Sequence, residues 1–450
     1  MLHPTSFTSL LEHRRTLLLQ GPMGPFFGKL ARYLVEHGQE VFKINFNGGD
    51  EIFYRESNAF AFDGRLQEWA GWLTAFIARH RITAIVLFGQ DRPVHLPVAE
   101  IARQMGVRLF VCEEGYVRPN YVTLEIGGVN ARSSIPRDRA FYDEFSGDLL
   151  PPIQKSVPAG QKFHRMAAIA ATYGLAMAAS HGRYPHAVHH RKMTPWTETS
   201  KWLWGSVRKA LDWRADNQVM KELISPERSN RWFLLPLQVH NDTQILRHSN
   251  YPGMEAVIDE VMESFAGHAQ ADQWLVIKHH PMDRAYRNFS RHIAASAQRL
   301  GLTERIRYVH DVHLPTLLKH TRGIVTVNST TGLQALHHRK PVFTMGECFY
   351  AIKGLVHGGP MASFWTQPGA VDEELFQRFR RYLVANTQLN ASFYAQAPAL
   401  ELAAQHIRMR AFLGGQGLRD SARLTRSLRW SETDGFRANA ARRPGAESGG

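Results

Sequence analysis

Two short polar runs carry much of the chemistry available to this 450-residue chain. Lys278-His279-His280-Pro281 and Asn328-Ser329-Thr330-Thr331-Gly332 each fall where a β-rich run stops and a helical pattern starts. Ser329 and Thr330 are of the type that caps a helix, and the free N–H groups in the first turn of Leu333 to His338 suit a phosphate or carboxylate. Capping alone is the plainer reading. Lys278 and His280 add a cation and a hydrogen-bonding ring at a neighbouring strand end, so that two anion-friendly edges converge on one phosphorylated ligand.

Carboxylates hold corresponding positions elsewhere. Glu113-Glu114 follows the apolar run Val107 to Val111, and Asp242 follows Trp232 to Leu237. Adjacent side chains on an extended segment point to opposite sides, so at most one of Glu113 and Glu114 faces a cleft. A solvated turn is the alternative for such a pair.

The elements that must hold these groups read as alternating strands and helices. Trp274 to Lys278, Ile306 to His310, Ile324 to Val327 and Val342 to Met345 alternate with helical patterns, as in βαβ units of a parallel sheet. Thr16 to Leu19, Val41 to Phe46, Ile82 to Phe88 and Val107 to Val111 repeat this earlier, with helices over Gly28 to Glu36 and Leu66 to Arg79. Polar turns follow the strands at Gln20 to Phe27, Asn47-Gly48-Gly49-Asp50 and Gly89 to Pro93. The first of these has neither dinucleotide-loop nor P-loop spacing. Two doubly wound α/β domains are expected, with ligands at the carboxyl ends of their strands. The expected boundaries are 1–150, a helical insertion at 151–229, a second domain at 230–413 with helical segments to about Phe412, and a basic tail at 414–450 ending in disorder.

The 54 Lys+Arg against 40 Asp+Glu leave a net charge of +14, which suits an acidic partner: nucleic acid, an anionic membrane or an anionic substrate. No nucleic-acid recognition module with a basic face and aromatic platforms is visible, which disfavours the first. The two cysteines, Cys112 and Cys348, form no CxxC pair, which argues against a disulfide scaffold or thiolate zinc site and fits a reducing compartment. No signal-peptide pattern opens the chain, and the apolar run Met166 to Ser180 is shorter than the ~20 residues a spanning helix needs. A soluble or peripheral protein in a reducing compartment is expected. Lys201 to Trp213 interleaves Trp202, Trp204 and Trp213 with basic residues at helical spacing, which reads either as an interfacial helix or as a packed one with snorkelling cations.

Together, Pro22 to Phe27, Glu113-Glu114-Gly115-Tyr116 with Arg118-Pro119, Pro236-Leu237-Gln238 with Asp242, Lys278 with His280-Pro281, and Asn328-Ser329-Thr330 with Gly332 resemble the bacterial capsule polysaccharide synthesis and export family. Within it the chain is most similar to the single-module β-Kdo transferases that begin a lipid-linked poly-Kdo linker. The Glu-Glu-Gly, His-Pro and Ser-Thr elements are also similar to motifs of bacterial sialyltransferases. The resemblance implies a GT-B-like fold, two Rossmann-like domains facing across a cleft with the helical insertion between them. It implies CMP-Kdo as donor, a glycerophospholipid such as lysophosphatidylglycerol as acceptor, and retention of configuration. Lys278, His280, Pro281, Asn328, Ser329, Thr330 and Gly332 then belong to the CMP-sugar, with Glu114, Asp242 and Glu113 as catalytic candidates. Gly21, Arg118, Asn120 and Tyr350 are candidate contacts of the acceptor or the sugar carboxylate. No metal or other cofactor is expected, since helix N-termini with Lys278 and His280 suit one phosphate and one carboxylate. The anionic inner-membrane surface and other capsule biosynthesis and export proteins are the expected partners. The rivals are a CMP-sialic acid transferase and a non-catalytic component of the capsule export complex.

Overall fold

A computed structural model describes residues 3–144, 153, 155–160, 162–187, 195–239 and 251–401, with backbone alone for 195–204 and 206. Asp242 and the tail 414–450 lie outside the described residues, as do the side chains of Lys201, Trp202 and Trp204.

Short, mostly apolar runs make the strands. Leu17, Leu18, Ile85, Val86, Leu234, Val276 and Ile277 are all buried without measurable exposure, as strands covered on both faces by helices must be. In the first half these strands are β1 (Arg15–Leu18), β2 (Glu40–Asn45), β3 (Ala59–Ala61), β4 (Ala84–Phe88), β5 (Arg108–Glu114) and β6 (Tyr121–Ile126). A late strand, β12 (Gln388–Asn390), completes their sheet, ordered β12-β6-β5-β4-β1-β2-β3. The first five are parallel, whereas β6 runs antiparallel to β5 and β12 antiparallel to β6. The second half has β7 (Trp232–Pro236), β8 (Trp274–Lys278), β9 (Ile306–Val309), β10 (Gly323–Thr326) and β11 (Val342–Thr344), all parallel and ordered β11-β10-β7-β8-β9.

Each order reverses once, between β1 and β4 in the first sheet and between β7 and β10 in the second. At such a reversal the loops leave in opposite directions and open a crevice at the carboxyl edge.

Three departures from the sequence expectation have physical causes. The stretch 47–50 is a helix start: Asn47 accepts from the Asp50 N–H at 3.0 Å and caps the helix Gly48–Phe53. Its glycines let the helix Phe163–Ala179 approach, since a Cβ on Gly49 would lie 2.7 Å from the Tyr173 ring. Second, β5 continues through Glu114 because β6 pairs with it there, Glu114 opposite Val122. Third, the second domain does not hold the whole of 230–413. Helix Glu373–Thr387 and β12 return to the first half, with Leu389 opposite Val122, so the expected helical run is broken at Gln388–Asn390, while 402–413 lie outside the described residues.

The insertion is helical and divides its attachments. Tyr173 donates to Asp50 at 2.8 Å in the first half. In helix Pro195–Leu223, the Asp216 carboxylate accepts from the backbone of Asp311 at 2.7 Å in the second.

Candidate functional site

At the second switch point the loops after β7 and β10 touch: the Gln238 amide donates to Asn328 Oδ1 at 3.1 Å. Ser329 then caps the helix Thr330–His337, its hydroxyl accepting from the Thr331 N–H at 3.1 Å. Asn328, Ser329 and Thr330 are half-buried there. Beneath them Tyr350 is fully buried and donates to the Ser329 carbonyl at 2.5 Å. A Cβ at Gly332 would collide with the Tyr350 hydroxyl, so the glycine lets the phenol support the helix start. Helix N–H groups and dipole favour an anion at this edge.

His280 sits at the end of β8 and caps the short turn Pro281–Asp283, its Nδ1 accepting from the Met282 N–H at 3.2 Å. The neutral ring therefore carries its proton on Nε2, a donor. Pro281 is exposed at the first position of that turn. Lys278 departs from expectation: it is buried, donates to the His279 carbonyl at 3.3 Å, and feels the charge of Asp216 from helix Pro195–Leu223. Burial lowers its ammonium from the usual value, while Asp311 and Asp216 oppose that shift.

The first switch point is held by an arginine that pattern reading passed over. Arg92, in the loop after β4, donates to Gln20 Oε1 at 3.0 Å and to the Gly21 carbonyl at 2.8 Å, tying that loop to the one after β1. Burial lowers its guanidinium from the usual value, and Tyr173, Asp50, Glu113 and Tyr394 oppose this. Gly21 is shaped by Phe27, whose ring lies 2.7 Å from where a Cβ would stand. Beside this edge, Glu113 accepts from the Glu114 N–H at 3.0 Å, and Glu114 accepts from the Tyr394 hydroxyl at 3.4 Å. Burial raises the Glu114 carboxyl, with Arg118 and Tyr394 pulling it back. Arg118 is exposed, its Nε 3.3 Å from the Gly115 carbonyl.

Two candidates prove internal. Asn120 receives the Ala159 N–H at 3.0 Å and gives its amide to Ser156 at 3.2 Å, so its side chain ties the loop to the insertion. Tyr350 is covered by the helix start it supports. The contributors missed in sequence are Arg92 and Tyr394. An arginine in a Gly/Pro-bounded strand-end loop, Gly89 to Pro93, was a usable signal for the first. Nothing local marks the second, which reaches Glu114 from 280 residues away.

The two edges are joined through their loops. Tyr116, two residues after Glu114, stacks on Phe349, next to Tyr350. Two Rossmann-like sheets, each with polar groups at its own switch point, define the chain as an α/β protein with a GT-B-like arrangement of two parallel-sheet halves. A family model described as capsule polysaccharide biosynthesis protein matches residues 83–394. The chain is 39% identical over 389 residues to the capsule polysaccharide export protein KpsS of Escherichia coli, covering 86% of this chain and 99% of that protein. It is 37% identical over 393 residues to the capsule polysaccharide modification protein LipB of Neisseria meningitidis serogroup B, covering 86% and 94%. Among solved structures, Thermosulfurimonas dismutans KpsC, beta Kdo 2,7 transferase, aligns with a TM-score of 0.42 and 14% identity over 88% of this chain and 99% of that one. The chain belongs to the capsule polysaccharide biosynthesis protein family.

Proposed function

We propose that this protein is a glycosyltransferase that moves Kdo from CMP-Kdo to a glycerophospholipid, lysophosphatidylglycerol, with retention, and so starts the capsule polysaccharide linker. The observation that carries the reading is the pairing of unlike edges: a Ser329-capped helix start at one switch point and Glu113-Glu114 with a half-buried Arg92 at the other, joined by Tyr116 on Phe349. In this reading the N–H groups of Thr330–His337 and the His280 Nε2–H hold the donor phosphate without a metal. Glu114, with its carboxyl raised by burial, exchanges a proton with the acceptor hydroxyl or stabilises the developing sugar cation. Asp242 is the proposed second carboxylate, acting as nucleophile.

A lipid acceptor requires access to a bilayer. No described helix is long and apolar enough to cross one. Helix Pro195–Leu223 leaves Leu211 69% and Trp213 60% exposed, which supports docking on the cytoplasmic face of an anionic membrane. Its cations serve less than their number suggests, because Lys209 pairs with Asp311 at 2.9 Å and Arg208 donates to the Arg284 carbonyl at 2.8 Å.

The test is incubation of purified protein with CMP-Kdo and lysophosphatidylglycerol in detergent with a chelator present, followed by mass analysis of the lipid. A lysophosphatidylglycerol bearing one Kdo is expected. Transfer from CMP-sialic acid instead would favour the sialyltransferase rival, and binding without transfer from either donor would favour the scaffold.

A further inference from the structure

A cavity of about 200 Å³ lies on the far flank of the second half, outside the groups assigned above. It opens at the ends of β8 and β9, and β9 is the sheet's edge strand, three positions from β10, whose loop carries Ser329. At a strand spacing of about 4.8 Å, β8 and β9 stand roughly 10 and 14 Å from the Ser329 strand, and His280 directly follows the cavity-lining His279. Alternation along β8 separates them further. Trp274, Val276 and Lys278 share one face, whereas Leu275, Ile277 and the cavity-lining His279 share the other.

The lining is cationic. Arg208 comes from helix Pro195–Leu223, and Arg284 and Arg287 from the segment after β8, with Tyr308 and His310 from β9 and its end. One carboxylate, Asp212, lines the cavity beside three arginines, 3.8 Å from His310 Nδ1, and the other nearby carboxylates have partners. Asp311 is bound by Lys209 at 2.9 Å and Arg284 at 3.0 Å, and Asp216 accepts backbone N–H groups of His310 and Asp311. Arg284 keeps a buried Nε with no acceptor, and among the described residues no carboxylate pairs with the exposed Arg287. Net positive charge therefore remains in the cavity after the internal pairs form. Its rim is apolar: Leu211 lines it at 69% exposure, and Val207, one helical turn earlier on the same face, is 47% exposed. Liquid water takes about 30 Å³ per molecule, so the space holds several heavy atoms, enough for a phosphate and the start of its substituent.

We propose that this cavity is a second anion site that takes the phosphate of a phosphate ester, the arginine forks meeting its oxygens while the substituent leaves along Val207 and Leu211. The ester could be a small soluble one or a phospholipid headgroup. The inference stands apart from the donor-site reading.

The experiment compares wild type with Arg287→Glu, which removes an exposed cation that no described carboxylate pairs with, and with Arg55→Glu, the same charge change at an exposed residue of the first half. The probes are glycerol 3-phosphate by calorimetry, and phosphatidylcholine vesicles with and without phosphatidylglycerol by sedimentation. Arg287→Glu should weaken at least one phosphate-bearing probe about ten-fold or more, as loss of a charge-assisted contact does, while Arg55→Glu matches wild type. Loss confined to glycerol 3-phosphate identifies a soluble ester, and loss on phosphatidylglycerol vesicles a headgroup. Equal effects of the two substitutions, no effect of Arg287→Glu, or full displacement of glycerol 3-phosphate by CMP would each overturn the proposal, the last by returning the anion to the Ser329 edge.

Discussion

The ring of Tyr116 stacks on that of Phe349 with centroids 4.2 Å apart and planes 26° from parallel. Both are buried, and each belongs to the strand-end loop of a different half. Phe349→Ala should cost about 3–5 kcal/mol in unfolding free energy, as for other large core truncations. Because Tyr350 follows in the same loop, CMP affinity should fall as well. Denaturant and CMP titrations check this, and lowered stability with unchanged CMP affinity would reduce the stack to packing.

The Ser329 edge depends on a glycine and a phenol. Gly332→Ala drives a methyl into the Tyr350 hydroxyl and should lower both stability and CMP affinity. Tyr350→Phe removes that hydroxyl along with its bond to the Ser329 carbonyl. The double variant should therefore recover much of what Gly332→Ala loses, a coupling that a double-mutant cycle measures. Ser329→Ala, which removes the cap, should cost about 1 kcal/mol.

Glu114→Gln and Asp242→Asn keep shape and remove charge. Turnover should fall by roughly 10²–10⁴-fold in each while CMP still binds. The Tyr394 hydrogen bond lowers the Glu114 carboxyl, so Tyr394→Phe should move the Glu114 limb of the pH–rate profile to higher pH. A profile that stays in place would remove either Tyr394 or Glu114 from the proton exchange.

Glu125, opposite Val111 on β6, is pushed up to about 7 by burial, against the opposing bonds of Ser133 and Tyr116. Its folded pKa exceeds its unfolded one, so the folded state holds the extra proton between about 4.5 and 7. This stabilisation is fully present below the unfolded value and is lost as pH rises through about 7. Glu125→Gln should flatten the dependence, the difference from wild type changing by on the order of 3 kcal/mol between pH 4 and pH 8. Parallel stability–pH curves for the two proteins would refute the assignment.

Membrane docking through the insertion predicts that Leu211→Asp with Trp213→Ala lowers sedimentation with phosphatidylglycerol vesicles and spares turnover of a short-chain soluble acceptor. Both side chains are exposed, so the substitutions should change folding stability by no more than about 0.5 kcal/mol. Equal sedimentation of the double variant would move the membrane surface elsewhere on the protein.

The sequence by itself determined the parts that local physics controls. Apolar runs bounded by polar turns placed β8 over Trp274–Lys278 and put Ser329 at a helix start, because strand burial and capping involve only residues close in the chain. The five ordered motifs, legible without coordinates, agree with the family the chain belongs to. Tertiary structure decided which polar groups remain available. Lys278 reads as a ligand cation but is buried and bound to the His279 carbonyl, and Asn120 is consumed by Ser156 and Ala159. Tyr350 supports a loop from below, while Arg92 and Tyr394 arrive beside the glutamates from a neighbouring strand and from the returning C-terminal segment. Contacts between residues hundreds of positions apart leave no periodic trace, since neither partner's neighbours along the chain record which surface will be folded against it.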